Sequence, residues 1–584
     1  MKRTNWKKHH KWFGLILCFF MLMFGVSGII LNHRRAVADW QVSRSWLPSD
    51  YLYQNWNRGL LRGTCSYIGS DSVRHILIYG ASGIWLSDTD GETVTDFNTG
   101  LPAGADYRQV KGVVCLPDGS LWAAGQFGLY RYQESGKRWQ SCALPMPEDE
   151  KLSDLTFRGD TLIAVGRSYL YLSSAPYTSF QKIRLAAPSD YDGRVSLFRL
   201  VWLLHSGELF GLGGKLVVDT VAVLFMILCL TGVIYWLLPK HVRRQKRKGR
   251  NPRVALRMLK YSLHVHDCFG RYTFILLFLV VLTGWCLRPP LLLALVYGRA
   301  PIVPYTSLDG ANPWQDKLRM LRYDEAYGDW LLSTSEGIYS LSSLSAVPQV
   351  LTHTPPVSVM GLNVWQKDAS GNWLVGSFSG LYLWSRQQQT AWDYFTGEKA
   401  PETAGPPFGK YAVSGYSSDF SGIPFPVEYN QGTDRLSMPS KLSTLPMPLW
   451  NLAQEIHTGR IYTYLGQGTL FFIFFAGVEI QPPPASIPHI HLKKCPAQSC
   501  TPFLPSESDN AFSSESCRQP SSGDAHRIPS SAADCIPPAP SVLWICRSDN
   551  RCHPPDGHAR PEQCLDMPAR SGGRGIRLYQ MECG

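Results

Sequence analysis

The sequence predicts an α-helical membrane bundle of four transmembrane helices, the fourth truncated, joined to an extramembrane all-β domain of propeller type. Three observations carry that expectation. Long, nearly uncharged apolar runs recur behind histidines, the runs fall into two matching halves, and between them short β-type segments repeat around glycine turns.

The halves are read from spacing. His10-Lys-Trp-Phe-Gly14 opens an apolar run, Trp12 to Leu31, in which Gly28 of Ser27-Gly28 follows His10 by 18 residues. His266-Asp-Cys-Phe-Gly270 opens another, in which Gly284 of Thr283-Gly284 follows His266 by the same 18. A run of about 20 apolar residues crosses a bilayer as a helix. A second pair obeys the same rule: His205 is followed by Gly207 and Gly214, His457 by Gly459 and Gly466, and both precede apolar runs. The chain therefore reads as two tandem halves, each made of helix, large extramembrane segment and helix.

Taken in order, residues 1–11 are a basic stub and 12–31 the first helix. Residues 34–200 form a first β lobe, in which Ile76 to Leu86, Leu121 to Tyr130 and Leu162 to Tyr171 each read as strand, glycine turn, strand. Helix two covers 215–238, a basic loop 239–265 and helix three 272–296. The β pattern returns in a second lobe, 300–450, at Trp330 to Tyr339 and Trp373 to Tyr382. Copies about 40 to 45 residues apart have the blade period of a propeller. Blades from both lobes are expected to close together over the membrane, with two separate small lobes as the alternative. Helix four, 457–480, is cut short: only Thr469 to Ile480 is continuously apolar before Gln481-Pro-Pro-Pro484, where the repeat calls for a glycine at 484. The Pro-, Ser- and Cys-rich stretch 481–584 is expected to be a disordered tail in an altered reading frame.

The net charge of +12 is local. Lys2, Arg3, Lys7, Lys8 and Lys11 precede the first run, and ten Lys or Arg lie from Lys240 to Lys260 without an acid. Basic clusters beside apolar spans are a positive-inside signal, not a nucleic-acid face. The N-terminus and the 239–265 loop are thus placed in the cytoplasm and both β lobes outside, in the periplasm of a bacterial inner membrane. Of 15 cysteines, eight follow residue 490, and only Cys65, Cys115 and Cys142 are candidates for an external disulfide.

Ionisable residues at membrane depth are costly and point to function. A pseudo-two-fold axis would bring His10 to His266 on the inner side and His205 to His457 on the outer side, with His264 and His33 as substitutes. Facing histidines on rigid helices suit bis-imidazole ligation of haem b, one haem near each leaflet. A zinc set and a covalent haem have no supporting spacing. No catalytic side chain and no dinucleotide fingerprint is evident, so the electron donor is external and unidentified.

His10-Lys-Trp-Phe-Gly14, Ser27-Gly28, His205-Ser-Gly207, Leu230-Thr231-Gly232, Leu282-Thr283-Gly284 and His457-Thr-Gly459 resemble the PepSY-associated transmembrane helix family. The resemblance covers the helices and their flanks, about a quarter of the chain. It implies a bacterial inner-membrane protein linked to iron and siderophore uptake, a ferric-siderophore reductase that delivers electrons to a periplasmic ferric chelate or a partner protein. No soluble PepSY domain is evident, and the short fourth helix departs from the family pattern. The rival reading is a non-catalytic membrane sensor or scaffold whose propeller binds a periplasmic ligand or partner.

Overall fold

The computed structural model describes residues 3–466 and 468, apart from 289–290, 296–297, 311, 359 and 403–408; side chains are also set aside at 3–11, 13, 16–17 and 293. Seven helices are present among them: α1 Arg3–Asn32, α2 Leu197–Ser206, α3 Gly211–Arg247, α4 Arg253–Cys286, α5 Leu291–Leu295, α6 Ser440–Ser443 and α7 Leu449–His457. The tail expected at 481–584 and the second half of the expected fourth helix lie outside the described residues.

The predominant structure is β-sheet. Each of the five glycine-turn repeats lies in its own four-stranded antiparallel sheet, with strands paired in chain order. The lead strands are Gly63–Ile68, Val110–Cys115, Leu152–Arg158, Leu318–Asp324 and Val364–Lys367, and a two-stranded sheet, Val413–Ser417 with Phe425–Glu428, follows. The glycine turns are hairpins with two-residue loops: Gly80 pairs with Gly83, Gly125 with Gly128 and Ser377 with Gly380. Gly83 has φ +107°, and a Cβ there would strike the Asn98 side chain, so only glycine fits that corner. Alternating aliphatic and Trp side chains fill the spaces between adjacent sheets. Ile163 and Val165 of the third pack with Leu321 and Trp330 of the fourth, and Met320 and Leu331 of the fourth with Trp365 and Trp373 of the fifth. The repeated aromatics are thus packing residues, each burying on the order of 200 Å².

The four-helix bundle is not supported. Among the described residues two helical stretches, Glu208–Arg247 and Arg253–Cys286, are long and apolar enough to cross a membrane. In α1 the described apolar part, Cys18–Asn32, is shorter than a span. α3 runs past its expected limits of 215–238 at both ends, whereas α4 starts well before 272 but ends at Cys286, short of 296; Lys and Arg are good helix formers and carry both helices through most of the basic loop, leaving a turn at 248–252.

Two short β pairs join helices to sheets. Gln41–Val42, just after α1, pairs with Met447–Pro448, just before α7. Arg194–Ser196, just before α2, pairs with Arg299–Pro301, which follows α4 and α5. Each pair ties the helix leaving one half to the helix entering the membrane side of the other. A buried ion pair reinforces the first: Arg34 makes a bidentate contact with Asp106, 2.8 Å to each oxygen, and its guanidinium lies 3.7 Å from the Trp450 ring centre in α7.

The Asp106 side chain is 0% exposed, so its removal strands a buried arginine. Asp106→Ala is expected to lower stability by about 3 kcal/mol, with Asp106→Asn losing less, in urea unfolding followed by tryptophan fluorescence.

Candidate functional site: histidines seated on glycines

The site begins with two short helices. Ser196 caps α2, its Oγ accepting from Arg199 N at 3.2 Å, and Gly207 ends the helix with φ +78°. Gly207 and Gly214 then touch through their backbones, so neither position admits a Cβ. That contact explains the glycines at His+2 and His+9. In α7 the ending is similar, with Gly459 at φ +76° just beyond His457.

The short β pair before α2 lays it against α4, and the one before α7 lays α7 against α1. In each case the histidine meets a glycine of the opposite half. A Cβ on Gly284 would lie 3.1 Å from His205 Cε1, and one on Gly28 would lie 3.3 Å from His457 Cε1. The same arrangement occurs a third time, where a Cβ on Gly232 of α3 would lie 3.5 Å from His266 Cε1 of α4.

The three seats share one hydrogen-bond pattern. His457 Nδ1 donates to Phe24 O at 3.2 Å, His205 Nδ1 to Val280 O at 3.0 Å, and His266 Nδ1 to Leu228 O at 3.1 Å. In each the carbonyl is four residues before the glycine. That carbonyl already accepts one helical N–H, and its second lone pair is reachable because the glycine above it has no side chain. The preceding Ser27, Thr283 or Thr231 hydroxyl bonds back to the same carbonyl and lies 3.1 to 3.2 Å from the ring nitrogen. A carbonyl can only accept, so Nδ1 carries the proton and Nε2 keeps its lone pair. For His205 and His457 no described residue hydrogen-bonds Nε2.

His205 and His457 face each other, with ring centroids 6.1 Å apart and planes inclined by 55°. The structure therefore brings together the outer pair read from the repeat. His10 is on α1, but its side chain lies outside the described set, as does position 484, so the His10–His266 pairing is not described. His264 is exposed on α4. His33 is engaged elsewhere: its Nε2 is 2.6 Å from Asp219 Oδ2 of α3, and Asn32 Nδ2 bonds Asp219 Oδ1 at 3.0 Å. Cys65, Cys115 and Cys142 are free thiols. No group of three or more His, Cys, Asp or Glu suited to a metal ion occurs among the described residues.

The seats also assign a role that spacing alone left open. Ser27-Gly28, Thr231-Gly232 and Thr283-Gly284 are small residues that suit close helix packing or leave room for a flat cofactor, and each receives an imidazole. The 18-residue offset pairs His10 with Gly28 and His266 with Gly284, so it marks the repeat but not which ring each glycine receives.

Residues 7–478 match the PepSY-associated TM region family. The chain belongs to that family. As a member it is a membrane protein, and the match spans both halves, the intervening sheets and all six histidines named above. No curated protein matches the chain. Among solved structures it is similar to the extracellular domain of BT4673 from B. thetaiotaomicron, in two structures described as a hybrid two-component and a one-component system. Identities are 10% and 11%, the TM-score is 0.30 in both, and the match covers 67% of this chain. This chain spans about two fifths of those proteins, 39% and 40%.

Filling a seat should expel its ring. Gly284→Val is expected to raise diethylpyrocarbonate labelling of His205, and Gly28→Val that of His457, as read by peptide mass spectrometry. Gly270→Ala, whose nearest neighbour to the new Cβ is Leu228 Cδ2 at 3.9 Å, should leave both unchanged.

Proposed function

We propose that this PepSY-associated membrane protein binds haem b between His205 and His457 and passes electrons to a ferric chelate on the outer side of a bacterial inner membrane. The carrying observation is the facing pair with both Nδ1 atoms committed to backbone carbonyls. His205 and His457, with ring centroids 6.1 Å apart, would hold the haem iron as its two imidazole ligands.

In this reading the carbonyls of Phe24 and Val280, by accepting from Nδ1, fix tautomer and ring direction, as carbonyl and carboxylate acceptors do behind metal-bound histidines. The glycines let the rings lie flat against the helix backbones. The bound haem supplies one-electron chemistry. The chain holds its ligand nitrogens neutral and aimed, and the helices keep water away from them. His266, seated in the same way on Thr231-Gly232, would serve a second, inner haem with His10 opposite. The basic residues of the stub and of Lys240 to Lys260 support an orientation with that inner site toward the cytoplasm.

For the outer domain the reading is a propeller. Its support is the succession of sheets: the lead strands of the first three are adjacent in turn, Leu152–Arg158 also contacts Leu318–Asp324, and Val413–Ser417 packs against both the fifth sheet and Gly63–Ile68 of the first.

Reduced-minus-oxidised absorption spectra of the purified chain test the function. A b-type signal is expected, with the outer haem lost in His205→Ala or His457→Ala and retained in His33→Ala. An uncoloured protein that stays uncoloured when haem is added, yet binds a periplasmic ligand, would replace this reading by the sensor or scaffold.

A further inference from the structure

The sheets carry a positive cluster, compensated only in part, at the end where the helices attach. Four lead strands depart from regular pairing near their first residues: at Val110/Gly112, Leu152/Asp154, Leu318/Met320 and Val413/Gly415. The residues skipped are Lys111, Ser153, Arg319 and Ser414. A bulge re-aims one side chain out of the alternation of its strand, a feature common beside binding sites. Here two of the four re-aimed residues are cations, and Lys151 stands just before a third bulge.

The acids nearby are already engaged. Asp106 is held by Arg34, and Asp316 by Arg167 at 2.5 Å and Arg199 at 2.8 Å. Glu208 lies 3.4 Å from Lys215. Lys111 Nζ meets only the neutral Gln109 Oε1, at 3.1 Å, and no described residue pairs with Lys151 Nζ. Arg319 is 8% exposed; its NH1 donates to two backbone carbonyls, and its Nε is buried without a partner. Backbone contacts link the strands of the three cations: Arg167 N donates to Lys151 O at 3.0 Å, Leu318 N, beside Arg319, donates to Arg167 O at 2.8 Å, and Gln126 bridges Gln109 and Leu152. Burial first, and then the neighbouring guanidiniums, push Lys111 down to about 7 and Lys151 down to about 8, against the smaller opposing pull of Asp106 on the first and of Asp316 and Glu208 on the second. Solvent still reaches the cluster, since the Arg167, Arg199 and Asp316 side chains are 31%, 30% and 35% exposed.

Buried charge without a counter-charge is costly, and oxyanions answer it best because they accept several charge-assisted hydrogen bonds at once. We propose that Lys111, Lys151 and Arg319 together hold a small multivalent oxyanion, bearing carboxylate or phosphate groups, at the helix-facing end of the β-sheet domain. Three cations with no ion pair of their own, facing acids that other cations already hold, favour a multivalent ligand over acetate or chloride. The lysines supply movable donors, and Arg319 Nε a fixed one. Arg199, which flanks the cluster through Asp316, is on α2 six residues before His205, a rise of about 9 Å along the helix. An anionic chelate held here would sit beside the outer histidine pair. The site itself does not depend on haem.

Isothermal titration of the full chain in phosphatidylcholine nanodiscs, with citrate, inorganic pyrophosphate and acetate as probes, tests it. Citrate or pyrophosphate is expected to bind, with acetate much weaker, and Lys151→Gln and Lys111→Gln/Lys151→Gln to weaken binding by about tenfold or more. Each variant is checked for native tryptophan fluorescence, and the accessible single variant Lys151→Gln stands alone if the double variant misfolds. His205→Ala should bind the anion as the parent does, which separates this inference from the haem reading. Repeating the titration in phosphatidylglycerol nanodiscs identifies the source: competition assigns the site to an anionic lipid headgroup, undiminished binding to a free anion. Absence of binding by both multivalent probes, or equal binding in Lys151→Gln, overturns the proposal.

Discussion

An imidazole can lie against a helix, with its Nδ1 on a backbone carbonyl, only where the helix lacks a Cβ. Much of the membrane-side architecture follows from that steric condition. His205 of the first half uses the gap at Gly284 of the second, and His457 of the second uses the gap at Gly28 of the first. The exchange locks the halves together reciprocally. It also fixes the proton on Nδ1 in both rings, so the same contacts that hold the helices leave the Nε2 lone pair free on each of two rings whose centroids are 6.1 Å apart. Packing and chemical readiness have one cause.

The sheets make that exchange possible. Neither α2, with ten residues, nor α7, with nine, is long enough to be a stable helix alone. Each is delivered to its partner by a short β pair anchored on the sheets, and Arg34 joins the end of α1 to Asp106 and Trp450. Cores built from Trp, Leu and Val between successive sheets resist deformation, so the positions of the two histidines are set by the β domain as much as by the helices. The cations at the bulged strands occupy the same junction. Whatever binds there touches the elements that aim the histidines.

Much of the organisation was legible in the sequence because it is periodic. Two halves, the 18-residue histidine–glycine offset and five strand–glycine–strand repeats can be counted directly, and each repeat occupies one four-stranded sheet. Helix limits were less legible, since Lys and Arg favour helix as readily as they mark a cytoplasmic loop, and α3 and α4 run on through most of it. His33 looked like a possible ligand by depth, but its partner, Asp219, is 186 residues away and has no spacing signal. The lead-strand cations were equally hidden: a lysine at a strand end reads as surface until a bulge turns it among other cations.

The sequence by itself determined the membrane character, the duplication and the histidines to watch, because hydropathy and repeat spacing are properties of neighbouring residues. Only the tertiary structure decided which glycine receives which ring, which nitrogen carries the proton and which cations have no ion pair of their own. Those depend on contacts between segments from 38 to 433 residues apart, where backbone carbonyls and absent Cβ atoms matter and no side-chain pattern records them.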